Sequence, residues 1–138
     1  MVFYLIYISS AVKLIGEDEL LLLLQQSQEK NADLAITGML LYKGGNFMQM
    51  LEGDEKSVRE LYAVIRKDDR HKGVLTIITG NIEKRNFKDW SMGFRNMDKV
   101  ADLPSYENYI KEHLTLHSFQ HDAEQAFEFI TSFEVGNR

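Results

Sequence analysis

The sequence contains no cysteine and a single proline, Pro104. Without cysteine the chain cannot form disulfides, thiolate nucleophiles, cysteine-ligated zinc sites or cysteinyl adducts of a cofactor. Basic residues are in the minority, because 16 lysines and arginines face 21 aspartates and glutamates and leave a net charge of −5. This balance argues against non-specific binding to nucleic acid, and we find no helix-turn-helix or zinc-finger pattern.

Long apolar runs are missing as well. The apolar N-terminus, MVFYLIYISS, has no basic segment before it and soon reaches charged residues, so we interpret it as a strand rather than a signal peptide. No apolar run approaches the length of a transmembrane helix. We therefore expect a cytoplasmic protein without a membrane partner.

Four histidines are present, and they do not form a recognised metal motif. His113, His117 and His121 are spaced by four residues, so one unbroken helix would place them on a shared face. Ser118 interrupts that pattern, and we predict no metal site.

The apolar periodicity predicts a single α+β domain. Gly44 and Gly45 predict a tight turn between two strands, and Asp54 is a predicted helix N-cap. Five leucines at 20–24 predict a first helix that is buried around most of its circumference, whereas the Gly-Asn pair at 80–81 predicts a turn or bulge. Strands are predicted over residues 2–9, 36–42, 46–52, 74–79 and 90–96, and helices over 17–31 and 55–67.

The order of these elements is β-α-β-β-α-β-β, and its first six elements are those of a ferredoxin-like sandwich, with two helices on one face of a sheet. Two further amphipathic helical patterns follow Pro104. We predict that these two C-terminal helices cover the second face of the sheet, where strand one places Tyr4, Ile6 and Ile8, or that they form a dimer interface there.

The third predicted strand contains a polar residue, Gln49, between Met48 and Met50. Burying an amide without a partner would cost about 2–7 kcal/mol, depending on the reference state. Alternation places Gln49 on the same face as Phe47 and Leu51. Taken alone, Gln49 is best explained as a strand residue that has a backbone partner.

Other polar, aromatic and sulfur-containing side chains are expected around the same space between the two helices and the sheet. Each has an ordinary explanation by itself: Tyr7 as a core tyrosine, Asn31 as a helix C-cap, and the others as helix-end or packing residues. Together with Gln49 the set comprises Tyr7, Ser27, Asn31, Arg70, His71, Trp90 and Met92.

Five blocks of the sequence together resemble a BLUF domain, the blue-light sensor that uses flavin. They cover roughly residues 2–97 in the order of that family and with similar spacing. The blocks are LIYISS (5–10), QSQEKNADLAITGMLLY (26–42), GNFMQMLEG (45–53), IRKDDRH (65–71) and DWSMGF (89–94). The resemblance implies a flavin-binding domain at 1–97 and a helical extension at 98–138.

The resemblance also implies roles at the centre of the site. Tyr7 matches the tyrosine that donates an electron and then a proton to the excited flavin. Gln49 matches the glutamine between this tyrosine and the flavin, and Asn31 matches the asparagine that holds the ring's carbonyl and imide edge. The bound flavin would be FAD, with FMN as the alternative.

Further roles follow from the same resemblance. Trp90 and Met92 match a pair on strand five whose position beside the glutamine differs between members, and which would relay the signal. Arg70 and His71 match residues that flank the flavin, and Ser27 matches a further, weaker contact.

The chemistry of the residues supports a light-driven switch. A flavin sensor without cysteine needs a redox-active side chain near the ring, and Tyr7 can serve. A glutamine amide has one donating and one accepting end, so rotating or tautomerising Gln49 would exchange the hydrogen bonds that it offers. The change would reach strand five and the C-terminal helices, and from there a partner protein or a second copy of the chain in a homo-oligomer.

Two alternatives belong to other classes of protein. The chain could be a photochemically inactive ferredoxin-like module that binds a ligand or another protein. It could also be a small hydrolase of the acylphosphatase kind, but residues 9–17 lack the arginine of a phosphate-binding loop. The 41 residues after Met97 (138 − 97) are too few for a catalytic output domain, so we expect no enzymatic activity.

Overall fold

The structure is a computed structural model that describes residues 1–13, 16–88, 91–97 and 123–131. Its elements are listed in chain order, strands and helices together: β1 Val2–Ala11, α1 Glu17–Asp33, β2 Thr37–Lys43, β3 Asn46–Gly53, α2 Glu55–Lys67, β4 His71–Ile82, β5 Gly93–Asn96 and α3 Ala123–Thr131.

The five strands form one sheet in the order β4-β1-β3-β2-β5. All pairs among the first four strands are antiparallel, and β5 joins the edge parallel to β2. This order, with α1 crossing from β1 to β2, is the ferredoxin-like topology that the sequence predicts. The predicted fold class is therefore confirmed.

Alternation along the strands creates two apolar layers. The first face carries Leu5, Tyr7 and Leu51 and packs against α1 and α2. The second face packs against α3 and a loop residue, Phe87. Its strand residues are Tyr4, Ile6, Ile8, Met39, Leu41, Met48 and Met50.

Helix α3 covers the second face through Ala126, Phe129 and Ile130, all of them buried. The ring of Phe127 lies 5.0 Å from that of Tyr4, which adds an aromatic contact to this layer. The other predicted C-terminal helix falls within 102–122 and lies outside the described residues.

Local signals in the sequence determine several boundaries. Gly44 and Gly45 have φ values of 54° and 82°, the left-handed conformation that a two-residue hairpin turn requires. Asp54 caps α2 by accepting a hydrogen bond from Ser57 N at 3.3 Å, which confirms the predicted N-cap. Gly38 permits close contact of β2 with β3, because a Cβ there would lie 2.0 Å from Met50 O.

The predicted burial of the leucine run is wrong. Leu20 is buried, but Leu21 and Leu22 are 54% and 55% exposed. Successive residues of a helix point about 100° apart, so five in a row cover its whole circumference. Only the stripe that faces the sheet meets another layer.

Two predictions about the later strands also need correction. Strand β4 continues through Gly80 and Asn81, which pair with β1. The register shifts occur instead between Ile6 and Tyr7 and between Ile8 and Ser10 of β1. Strand β5 begins at Gly93, where pairing with β2 starts, so Met92 precedes the strand.

Candidate functional site

A cavity of about 310 Å³ lies between α1, α2 and the first face of the sheet. Leu23, Leu40, Phe47 and Ile65 contribute to its apolar wall. Six of the residues singled out from the sequence also line it: Tyr7, Ser27, Asn31, Gln49, Arg70 and His71.

Tyr7 and Gln49 are directly opposite each other on β1 and β3, and both are buried. The Tyr7 hydroxyl donates a hydrogen bond to Gln49 Oε1. Burial is the largest cause that raises the pKa of Tyr7, and Tyr62 and Asp68 add to it. The hydroxyl therefore keeps its proton and acts as a donor across the ordinary pH range.

The other end of the Gln49 amide contacts Met92. Gln49 Nε2 donates to Met92 Sδ at 3.2 Å, and Met92 is 2% exposed. A thioether can only accept, so this orientation satisfies both ends of the amide, whereas the opposite one would leave Oε1 against sulfur without a donor. Trp90, the other predicted relay residue, lies outside the described residues.

Asn31 lies inside α1, which ends at Asp33 with Leu34 as its C-cap, so the ordinary explanation of Asn31 as the C-cap does not hold. Its main-chain oxygen accepts from Ile36 N at 2.9 Å, while Ala35 adopts φ of 55°, the pattern of a Schellman turn. The side chain is buried and donates from Nδ2 to Ser91 O at 2.9 Å.

Sequence reasoning missed Gln28. Its Nε2 donates to Met92 O at 3.0 Å, one helical turn before Asn31 on the same face of α1. Nothing in the sequence distinguishes it from its neighbours Gln25 and Gln26, because its partner is 64 residues away.

His71 starts β4, and both of its ring nitrogens have protein partners. Nε2 lies 2.5 Å from Ile65 O, and since a carbonyl only accepts, Nε2 must carry the proton. In the neutral ring, Nδ1 then accepts from the hydroxyl of Ser9, a fully buried residue, at 3.0 Å. His71 therefore presents its ring to the cavity, with its centroid 6.5 Å from that of Tyr7. Ser9 is a second residue that sequence reasoning missed.

Arg70 stands at the rim of the cavity with 52% of its side chain exposed. It forms an ion pair with Asp68 at 2.5 Å and donates to Gln26 Oε1 at 3.4 Å. The hydrogen bond from Arg70 is the largest cause that lowers the pKa of Asp68 to about 2, and Asp68 in turn raises the pKa of Arg70. The pair keeps a guanidinium group at the entrance.

Two further observations concern the described residues alone. They contain no cluster of three or more histidine, cysteine, aspartate or glutamate side chains that could hold a metal ion. None of their helices is both long enough and apolar enough to span a membrane.

Comparison with known proteins gives consistent results. The family described as sensors of blue light using FAD matches residues 2–93. The beta subunit of photoactivated adenylate cyclase from Euglena longa is 32% identical over 109 residues, which are 78% of this chain and 13% of that protein. This chain therefore spans only about an eighth of the length of that relative.

Solved structures show the same similarity over nearly the whole chain. The dark state of BlrB, a BLUF protein, matches with a TM-score of 0.76 and 28% identity over 95% of this chain and 96% of that one. A Klebsiella pneumoniae protein solved with FMN and cyclic diGMP matches with a TM-score of 0.73 and 25% identity, over 97% of this chain and 34% of that one.

Proposed function

This chain belongs to the BLUF family, the sensors of blue light using FAD, and we propose that it detects blue light through a flavin held noncovalently between α1, α2 and the first face of the sheet. FAD is the family's flavin, and the similar structure with FMN is consistent with either form. The proposal concerns which residues hold the flavin, how Tyr7 and Gln49 respond to light, and where the signal goes.

The cavity fits such a ligand. Small-molecule sites are mostly apolar, measure about 300–1,000 Å³ and contain a few polar groups that fix orientation. Here the buried amides of Asn31 and Gln49 are those polar groups, because each has a second N–H beyond the one already bonded to the protein. Ser27 and His71 line the wall, and Arg70 at the rim is suited to a phosphate.

The flavin, when bound, supplies absorption of blue light and a strongly oxidising excited state. Tyr7 is the buried redox-active residue that can respond, since its hydroxyl is protonated and already hydrogen-bonded to Gln49. We infer that Tyr7 would give up an electron and then its hydroxyl proton to the bound flavin. Both return to Tyr7 afterwards, while Gln49 keeps a changed arrangement.

The changed arrangement of Gln49, by rotation or by tautomerisation, alters what its two ends offer. After rotation, Nε2 faces the Tyr7 oxygen and Oε1 faces Met92 Sδ, which cannot donate. Met92 thereby loses its hydrogen bond to Gln49. Because β5 starts at Gly93, the next residue, movement of Met92 would pass directly into the strand.

One observation carries this proposal: a single buried amide at the cavity wall bridges a tyrosine hydroxyl and a methionine sulfur. A structural glutamine would be expected to bond main-chain groups, which are stronger and more permanent partners. Gln49 instead has two side-chain partners that can be exchanged.

The test is the light-minus-dark absorption spectrum of the purified protein with flavin bound. Wild type is expected to show a small, reversible red shift that Tyr7→Phe and Gln49→Leu abolish. Tyr4→Phe is the matched control, because Tyr4 is a neighbouring buried tyrosine on the second face and should leave the shift intact. A red shift that survives in Gln49→Leu would refute the switch, and a colourless protein that cannot be reconstituted with flavin would favour an inactive module.

We further propose that residues 1–97 sense light and that residues 98–138 transmit the signal to a partner protein or to a second copy of the chain. The relative from Euglena longa is named a photoactivated adenylate cyclase, so a domain similar to this one occurs there with an effector activity. Light scattering of the full chain in the dark and under blue light tests self-association. An identical mass in the dark and under blue light would exclude light-driven self-association. The output would then be a changed surface for a partner protein.

A further inference from the structure

Three side-chain amides, two from α1 and one from β3, hold one short segment, Ser91 and Met92. Asn31 donates to Ser91 O at 2.9 Å and Gln28 donates to Met92 O at 3.0 Å, both from α1. Gln49 donates to Met92 Sδ at 3.2 Å from β3. The segment immediately before β5 is therefore fixed on two sides.

Met92 is held in two independent ways. Gln28 holds its main-chain oxygen, and Gln49 holds its side-chain sulfur. A carbonyl oxygen accepts a stronger hydrogen bond than a thioether sulfur does. The bond from Gln28 is thus the firmer of the two, and it does not depend on the orientation of Gln49.

Gln28 also differs from Asn31. Asn31 lines the cavity, so its amide serves the ligand site as well as Ser91. Gln28 is not among the residues that line the cavity, and its donated bond goes to Met92 alone among the contacts described for it. A change at position 28 should therefore act through Met92 rather than through the flavin.

We propose that Gln28 is a positioning residue of the switch: by holding Met92 O it keeps Met92 Sδ opposite Gln49 Nε2 and so sets how fast the dark arrangement returns. The inference rests on the proposed function, because it needs a Gln49 that changes arrangement in light. When Gln49 turns, Sδ loses its donor and Met92 can move, but the bond from Gln28 limits how far the main chain of Met92 moves. The acceptor that the returning amide needs is then still present.

The effect should appear in kinetics and not in colour. Without the Gln28 bond, Met92 leaves the site more readily and the lit arrangement lasts longer. The loss of one neutral hydrogen bond corresponds to about a threefold to tenfold change in rate. We expect Gln28→Leu to slow dark recovery by that factor while the size of the red shift stays as in wild type.

The experiment follows the decay of the red shift in the full chain with flavin bound, after a blue-light pulse at fixed temperature. Gln28→Glu is the second variant, because it has nearly the same shape as glutamine and its carboxylate cannot donate to Met92 O at neutral pH. Gln25→Leu is the matched control, since Gln25 is exposed on the same helix and is bonded to Glu29. It should recover at the wild-type rate.

A double-mutant cycle separates positioning from general loosening of the fold. If Gln28 acts through the sulfur, adding Gln28→Leu to Met92→Leu should change the recovery rate by less than about 1.5-fold. An equally large effect in both backgrounds would overturn the proposal, as would unchanged or faster recovery in Gln28→Leu and Gln28→Glu. If wild type shows the red shift and the Gln28 variants do not, the positioning role of Gln28 is also refuted. If wild type itself shows no red shift, the proposed function is refuted.

Discussion

Strand β3 buries two polar side chains, Gln49 and Glu52, and their surroundings differ sharply. Gln49 lies on the first face and bonds two side chains, the hydroxyl of Tyr7 and the sulfur of Met92. Glu52 lies on the second face and is fully buried. The partners of Gln49 can be exchanged, whereas those of Glu52 cannot.

The Glu52 carboxylate accepts three hydrogen bonds. Asn86 N donates to Oε2 at 2.7 Å, and Phe87 N and the Thr37 hydroxyl donate to Oε1 at 3.0 Å each. Arg85 donates to Thr37 Oγ1 at 3.0 Å and to the main-chain oxygen of Glu52 at 3.2 Å, which brings a positive charge close to the carboxylate.

The difference shows how one strand can carry both a switch and an anchor. Main-chain N–H groups belong to a loop that must unfold before it can release Glu52, so that carboxylate is immobile. The amide of Gln49 can turn by rotation about a side-chain bond. Glu52 thereby fixes the loop at 85–87, ahead of the segment whose position Gln49 is proposed to control.

The largest expected effect comes from removing the anchor. Glu52→Ala removes the acceptor of three hydrogen bonds, from Asn86 N, Phe87 N and the Thr37 hydroxyl, and we expect it to lower the free energy of unfolding by about 3–5 kcal/mol. Urea unfolding of the flavin-saturated protein measures this. The control is Glu55→Ala, which breaks an exposed pair with Arg59 and should cost about 0.5 kcal/mol or less. A cost below about 1 kcal/mol for Glu52→Ala would remove the distinction between the two residues.

Removing Gln49, whose partners can be exchanged, should lower the free energy of unfolding by less than removing Glu52 does. Gln49→Leu deprives the Tyr7 hydroxyl of its acceptor, and we expect a loss of about 1–2 kcal/mol in the same unfolding experiment. Met48→Leu, a change of similar size on the second face, should stay within about 1.5 kcal/mol and leave the hydrogen bonds of Gln49 intact. If Gln49→Leu costs as much as Glu52→Ala, Gln49 is an anchor too.

A gain in stability is expected at the turn that follows Asn31. Ala35 adopts a left-handed conformation, which costs a non-glycine residue about 1–2 kcal/mol. Glycine removes this strain at some cost in chain entropy, so Ala35→Gly should raise the free energy of unfolding by about 0.5–1 kcal/mol. Ala32→Gly, in the last turn of α1, should lower it by about 1 kcal/mol. A loss for both variants would contradict the Schellman turn.

The smallest effect concerns the exposed ion pair at the rim. Because Asp68 has a folded-state pKa of about 2, below its ordinary value of about 3.9, its contribution is present above pH 4 and disappears as the pH falls from 4 to 2. We therefore compare the free energy of unfolding of wild type with that of Asp68→Asn. The difference should be less than about 1 kcal/mol above pH 4 and should shrink as the pH falls to 2. Asp69→Asn, which keeps the bonds between Arg70 and Asp68, should show no such trend.

Much of the framework could be predicted because its causes are local. The hairpin at Gly44, the cap at Asp54 and the alternation around Gln49 each depend on a few neighbouring residues. The ferredoxin-like order of elements follows once those signals are in place. The same alternation predicted that Tyr7 and Gln49 would share a face, and the structure places them directly opposite each other.

The remainder depended on distant partners. The burial of leucines on α1 and the uninterrupted length of β4 were predicted wrongly, because each is set by the layer or strand that lies alongside. Gln28 and Ser9 were missed, since their partners lie more than 60 residues away in the chain. Glu52 was part of a matched block, but its three donors come from other strands and loops.

The sequence by itself determined which chemistry is available: no thiol, a tyrosine and a glutamine on one sheet face, and an asparagine on the preceding helix. Only the tertiary structure decided that the amide of Gln49 lies between Tyr7 and Met92, and that Gln28 holds the same methionine from α1. The physical reason is that hydrogen-bonding capacity belongs to a residue type, whereas the choice of partner depends on which elements pack together.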